Sequence, residues 1–306
     1  MMSKTMTVQP ITDEQREKYK QYIEDAANKA LLEAELGKDG LQKLVENGDE
    51  FQTCVTTCIK EFLVSNQCTN EKVCFSYSYP KEYKGPRPII DQIKIIAENF
   101  DLDPSNALEF AKNLPQLPND TEEWVGWFAV PSVDAIAEKH FPKVLDPADK
   151  YCHAVQFVHR KIAATRSFYH YRGNHLTPKR LRVSARTAQA FDLIAKKQPG
   201  DIHIVAAQLG MRYRGRSIHH ACEAFVPNEF GLGSLAVGSI ALVHPERLVR
   251  WEQLDMVCIG DEFAPSGDGD FSYALSFIFY DGGVRLLTRY HHDVSKFAGF
   301  ISAFVL

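Results

Sequence analysis

The residues best suited to chemistry are three arginines within five positions. Arg212, Arg214 and Arg216 lie in the loop Gly210-Met211-Arg212-Tyr213-Arg214-Gly215-Arg216-Ser217. A β-like apolar run over 202–207 precedes the loop, and a helix is expected over 217–225. Guanidinium forks hold phosphate or carboxylate, and the first N–H groups of a helix favour the same charge. Arg212, Arg214, Arg216 and Ser217 are therefore the leading candidates for anion binding. The Walker spacing, GxxxxGK followed by Ser or Thr, is absent. The competing reading is that these arginines pair with acids of their own fold.

A second set is acidic: Glu229 in Asn228-Glu229-Phe230-Gly231-Leu232-Gly233, and Asp261 and Glu262 just after an expected strand at 256–259. Carboxylates at a strand end can hold Mg²⁺ while arginines hold a phosphate. Glu229, Asp261 and Glu262 are thus candidate acids, bases or metal ligands. No nuclease or kinase spacing accompanies them. No cofactor is predicted, and Mg²⁺ is the one this set admits. Asp268-Gly269-Asp270 reads as a polar turn. The pairs His219-His220 and His291-His292 are sequence neighbours whose side chains diverge, so each needs further ligands from elsewhere to form a metal site. Cys54, Cys58, Cys68 and Cys74 lack the CxxC knuckle of structural zinc sites, and Cys152, Cys222 and Cys258 stand alone.

A third set is basic and aromatic. Arg166, Arg172, Lys179, Arg182 and Arg186 are interleaved with Phe168, Tyr169 and Tyr171, a pattern suited to single-stranded nucleic acid. They belong to a block, 151–222, with 13 Lys plus Arg and only Asp192 and Asp201 as acids, for a net charge of +11. The flanks carry −9 and −6, so the overall −4 hides a dipolar layout. Docking of the basic block on these acidic flanks competes with an external partner.

The elements that must position these groups follow from periodicity and punctuation. Thr12 caps a first helix, and a second is expected over about 41–64. Further helices are expected over 89–99, 104–113 and 132–140. A long one runs from Pro147 to about Tyr171, closed by Gly173 and Asn174, and another starts at Thr177-Pro178. Strands are expected at 124–130, 202–207, 240–243, 256–259 and 303–306. The hairpin 271–280/284–290 turns on Asp281-Gly282-Gly283. The order is α+β: a helical N-terminal region, then a mixed region ending in an antiparallel hairpin. The Pro-containing stretch 114–123 suggests regions 1–120 and 121–306, or one continuous domain. No apolar run approaches the roughly 18 to 20 residues of a membrane span, and a soluble cytoplasmic protein is expected.

The chain resembles an uncharacterised family of bacterial hypothetical proteins over residues 37–306. The resemblance rests on GLQKLVENGDEFQ (40–52), FYHYRG (168–173), AAQLGMRYRGRS (206–217), NEFGLGSLAVGSIALVHPER (228–247) and GDEFAP (260–265). It implies a shared core that includes the arginine loop, Asn228-Glu229 and Asp261-Glu262, and it brings no activity. The early cysteines and the segment from Arg289 depart from the pattern. The sequence thus points to an anion-binding protein for a phosphate-containing ligand or nucleic acid. The alternative is a non-enzymatic interaction protein whose basic block neutralises its own or a partner's acids.

Overall fold

The structure, a computed structural model, describes residues 12–33, 38–49, 51–53, 55–56, 76–117, 125–171 and 175–305. Two compact units divide the chain, Met1–Leu63 and Val64–Leu306. In the first, α1 (Asp13–Glu33) starts at a reciprocal capping box: Gln15 N–H donates to Thr12 Oγ1, and Thr12 N–H to Gln15 Oε1. Helix α2 (Lys38–Glu46) follows. Cys54, Cys58, Cys68 and Cys74 lie outside the described residues, as do Arg172, Gly173 and Asn174.

The second unit is α+β. Its helices are α3 (Ile89–Phe100), α4 (Ser105–Ala111), α5 (Val133–His140), α6 (Pro147–Thr165), α7 (Ala185–Lys197), α8 (Ile218–Glu223) and α9 (Ser234–Val243). Its strands are β1 (Val125–Pro131), β2 (Phe168–His170), β3 (Leu181–Val183), β4 (Ile202–Gly210), β5 (Glu229–Gly231), β6 (Asp255–Phe263), β7 (Tyr273–Tyr280), β8 (Gly283–Tyr290) and β9 (Ala298–Phe304). They form one mixed sheet in the order β1-β4-β9-β6-β7-β8-β2, with β3 also on β6 and β5 also on β9. The pairs β2–β8 and β6–β9 are parallel and the rest antiparallel. One core joins Ile93, Ile96 and Phe100 of α3 to Phe128 of β1, Val158 of α6 and Ile240 of α9. This core lies on both sides of the 114–123 stretch in sequence. Among the described residues no helix is long and apolar enough to cross a membrane.

The hairpin forms as its sequence requires, with Asp281 at φ 51° and Gly282 at φ 75° giving the turn of positive φ that matches strand twist. Three expectations are corrected. Residues 240–243 belong to α9, not to a strand. All ten of its residues are buried, and a helix buried on every side shows no 3.6-residue alternation. Gly238 has no side chain there because Val158 of α6 and Phe277 of β7 occupy the space a Cβ would need. Thr177-Pro178 opens a turn, not a helix: Leu181–Val183 pair with β6, and the helix begins at Ala185, where Ser184 Oγ accepts from Thr187 N–H. Helix α6 stops at Thr165, and Phe168–His170 form β2 beside β8.

Arg166 explains that early stop. Its guanidinium turns inward and donates to Ala241 O, Pro245 O and Leu248 O at 2.9–3.3 Å, which satisfies one carbonyl of the last turn of α9 and two just beyond it. Burial pushes Arg166 down to about 10. At the same end His244 Nε2 accepts from Arg87 N–H at 3.0 Å, so Nδ1 carries the proton and donates to Ile240 O at 3.2 Å. Burial holds His244 near 4, and a second proton removes the acceptor that Arg87 uses. Between about pH 6.5 and 4 the unfolded chain takes that proton and the native state does not. His244 therefore destabilises the native state by about 3 kcal/mol across that window, with the loss growing as pH falls. Asp255 and Asp261, each raised to about 6 by burial, oppose this trend below pH 6. Urea unfolding of wild type and His244→Gln at pH 7 and pH 4.5 isolates the histidine: the stability gap between them narrows or reverses at pH 4.5.

Candidate functional site

The arginine loop connects β4 to α8, and its side chains turn inward. Gly210 stands at φ 115°, where a Cβ would meet the backbone of Gly299. Arg212 Nε donates to Tyr213 Oη at 2.9 Å and lies 3.6 Å from Glu229 Oε2. Tyr213 Oη donates to the same oxygen at 2.6 Å, and Ser302 Oγ donates to Glu229 Oε1 at 2.6 Å. Gln208 closes the network: its Nε2 donates to Ser302 Oγ and Phe300 O, and its Oε1 accepts from Gly210 and Arg212 N–H. Burial and the Glu229 charge push the Tyr213 hydroxyl far up. Arg216 and Ser217 are each 1% exposed, and Ser217 Oγ caps α8 by accepting from His220 N–H. Arg214 Nη1 sits 3.0 Å from Met211 Sδ. The turn is thus fitted around a buried carboxylate.

The acidic candidates are not brought together. Asp261 and Glu262 are successive residues of β6, whose side chains take opposite faces. Glu262 pairs with Arg182 at 2.6 Å on the surface. Asp261 is buried, with Tyr151 Oη donating to its Oδ1 and Ser234 N–H donating to its Oδ2 at 2.7 Å. Burial pushes Asp261 up to about 6, against the pull of those hydrogen bonds. Among the described residues no group of three His, Cys, Asp or Glu is arranged to hold a metal ion.

The basic set is dispersed as well. Lys179 lies in a turn, Arg182 on β3 and Arg186 in the first turn of α7, so they do not share one helical face. Arg182 stacks 3.9 Å over Phe271, Arg186 donates to Val226 O at 2.6 Å, and Arg166 is committed to α9.

The cavity lies elsewhere. A cleft of about 420 Å³ opens where α5, α6, α7, β3 and the start of α9 meet. Leu181, Val183, Phe191 and Leu235 give it an apolar wall, and Tyr151, Thr187, His203, Arg182, Asp134 and Asp192 give it polar groups. His203 is 5% exposed, its Nδ1 has no hydrogen-bond partner among the described residues, and burial holds its pKa down. Thr187 Oγ1 donates to Gly231 O at 2.8 Å.

No family model, curated protein or solved structure matches the chain.

The first turns of three helices face this cleft: Val133 and Asp134 of α5, Pro147 and Ala148 of α6, and Leu235 and Ala236 of α9. Ser132 caps α5 and Asp146 caps α6 with their own side chains. Gly233 brings no cap to α9. Asp261 reaches across from β6 and does so instead, through Ser234 N–H. Gly233 is required at this point, because a Cβ would collide with Asp261 Oδ1 and Tyr151 Oη.

Sequence reasoning missed Tyr151, Thr187, His203 and Gly233. The available signal was Gly231-Leu232-Gly233-Ser234, a short strand leading through glycines into a buried helix. Two stability measurements check this geometry. Gly233→Ala is expected to cost about 2 kcal/mol, as overpacking against Asp261 and Tyr151. Glu229→Ala, which removes the one carboxylate of the Tyr213–Arg212 network, is expected to cost about 3 to 5 kcal/mol.

Proposed function

We propose that this chain is a small-molecule-binding protein whose ligand has an anionic head and an apolar body, held in the cleft at the start of α9. The observation that carries this reading is the convergence of the α5, α6 and α9 first turns on one cavity that also contains a buried, unpartnered His203 nitrogen. Each helix presents the positive end of its dipole, and the first N–H groups of a helix have no intrahelical partner. Asp261 takes only Ser234 N–H, from behind Gly233, and Leu235 and Ala236 line the open side. A carboxylate or phosphate fits there, near Arg182, whose guanidinium also meets Glu262. The body of the ligand rests on Leu181, Val183, Phe191 and Leu235, and the volume suits a molecule of modest size.

For the arginine loop, a specific observation favours the second reading, internal neutralisation. Arg212 meets Glu229 inside a hydrogen-bonded network, and Arg216 and Ser217 are almost wholly buried. The loop is therefore read as scaffold, and anion recognition is assigned to the cleft.

Thermal-shift and calorimetric titrations test this with straight-chain carboxylates of six to ten carbons, alkyl phosphomonoesters, and the matching alcohols. At least one anionic class is expected to raise Tm. Saturation at a hundred times Kd corresponds to about 2.7 kcal/mol. Alcohols of the same length are expected to bind at least about tenfold more weakly, a difference of about 1.4 kcal/mol. Ala188 is exposed on α7 and lines the cleft, so Ala188→Trp is expected to abolish binding with the unliganded Tm retained. Equal binding of alcohols, no binding by either anionic class, or undiminished binding by Ala188→Trp overturns the reading.

A further inference from the structure

On the outer face of the β2–β8–β7 edge of the sheet, four large aromatic side chains stand half open to solvent. Tyr169 is 57% exposed, Tyr171 51%, Trp251 50% and Tyr280 44%. They come from three segments distant in sequence, and strand register brings them together. Tyr169 lies opposite Arg285 across the parallel β2–β8 pair, and Arg285 lies opposite Ile278 across the β7–β8 hairpin. The opposite face of the same strands carries Phe168, Phe277, Val284 and Leu286 into the core. Alternation alone therefore places the aromatic and arginine row outside.

One guanidinium organises the row. Arg285 Nη1 donates to Tyr171 Oη at 2.5 Å, Nε donates to Tyr280 O at 3.3 Å, and its plane lies 4.6 Å from the centre of the Tyr280 ring. Trp251 meets Tyr280 edge-on at 4.9 Å, and Tyr169 meets Tyr171 edge-on at 4.5 Å. Between the two aromatic pairs lies an open groove floored by Ile278 and Leu287. Rings kept at this exposure lose the burial that usually justifies their size, and an exposed aromatic surface of this kind marks an interaction site.

The charge of the groove identifies the occupant. Among the described residues lining it, Arg285 is the one ionic side chain, and its charge is matched by Asp281 at 3.1 Å. A phosphate backbone needs a track of uncompensated cations beside the stacking rings, and the described residues lining this groove supply none. An uncharged ligand with flat, weakly polar faces and a hydroxyl-rich rim is complementary to it. We infer that this groove binds a neutral saccharide chain, with sugar faces stacked on Trp251, Tyr280 and Tyr171 and hydroxyls hydrogen-bonded to Arg285 and Asp281. The surface is separate from the cleft at α9, so either site can fail its test without the other.

Trp251 is at once the stacking ring and the reporter. Tryptophan emission is followed during titration with glucose and N-acetylglucosamine hexaoses, with calorimetry in parallel. The expected result is a saturable blue shift with Kd between about 10 μM and 1 mM, unchanged by salt. Tyr280→Ala is expected to weaken binding at least about tenfold while Tm and ligand response at the α9 cleft stay as in wild type. Trp251→Ala is expected to abolish calorimetric binding of the hexaoses. No response to either hexaose at about 10 mM overturns the inference, as does wild-type affinity in Tyr280→Ala. Tight binding of a single-stranded oligothymidylate that weakens steeply with salt assigns the groove to nucleic acid and overturns it too. Concentration-dependent dimerisation abolished by Trp251→Ala assigns the face to self-association, with the same consequence.

Discussion

A helix buried on every side cannot hand its end groups to water, and this constraint shapes the molecule around α9. Its ten residues are all buried, so the polar groups at both ends must be met by the fold. At the C-terminal end, Arg166 takes Ala241 O, together with Pro245 O and Leu248 O just beyond the helix, and His244 Nδ1 takes Ile240 O. At the N-terminal end, Asp261 of β6 reaches Ser234 N–H and is itself held by Tyr151 of α6. Two segments far apart in sequence, Arg166 beyond α6 and Asp261 of β6, are therefore tied to one helix by charge-assisted hydrogen bonds. The cleft exists because the N-terminal capping is done from behind, through a glycine, and the front is left to the cavity.

Several arginines do their work inside the protein. Arg247 is wholly buried, donates to Leu209 O and Leu254 O at 2.7–2.9 Å, and lies 4.5 Å from the Tyr79 ring. Arg166 serves carbonyls, and Arg212 serves Glu229. The planar fork of a guanidinium reaches two or three carbonyls that no single backbone N–H can reach together. Arg166 and Arg212 of the basic block, and Arg247 beyond it, thus act as struts between parts of the fold.

Features governed by local rules were legible in the sequence. The α+β class, the Asp281-Gly282 hairpin, the Thr12 cap and the strand before the arginine loop all follow from turn chemistry and periodicity. What depended on distant partners was not legible. The run at 240–243 has the apolar density of a strand and becomes helix because its neighbours bury it completely. The segment after Thr177 becomes β3 because β6 offers it an edge, which no local cap signal encodes. The cleft drew its walls from six separate stretches, and neither His203 nor Tyr151 stood out in its own window. The arginine loop was visible for its composition, and Glu229, the residue that decides its role, lies thirteen positions beyond Arg216.

Strand β9 is the last of the strands in chain order, yet it lies in the middle of the sheet, between β4 and β6, with β5 also on it. On a ribosome, β1 and β4 can pair early, and so can the β7–β8 hairpin. The two halves have no shared edge until β9 emerges and is inserted between them. Closure of the sheet is therefore a late, non-local event, and the nascent chain carries two open strand edges until then. Insertion of β9, not collapse of the early helices, is the step at which this sheet becomes a single cooperative structure.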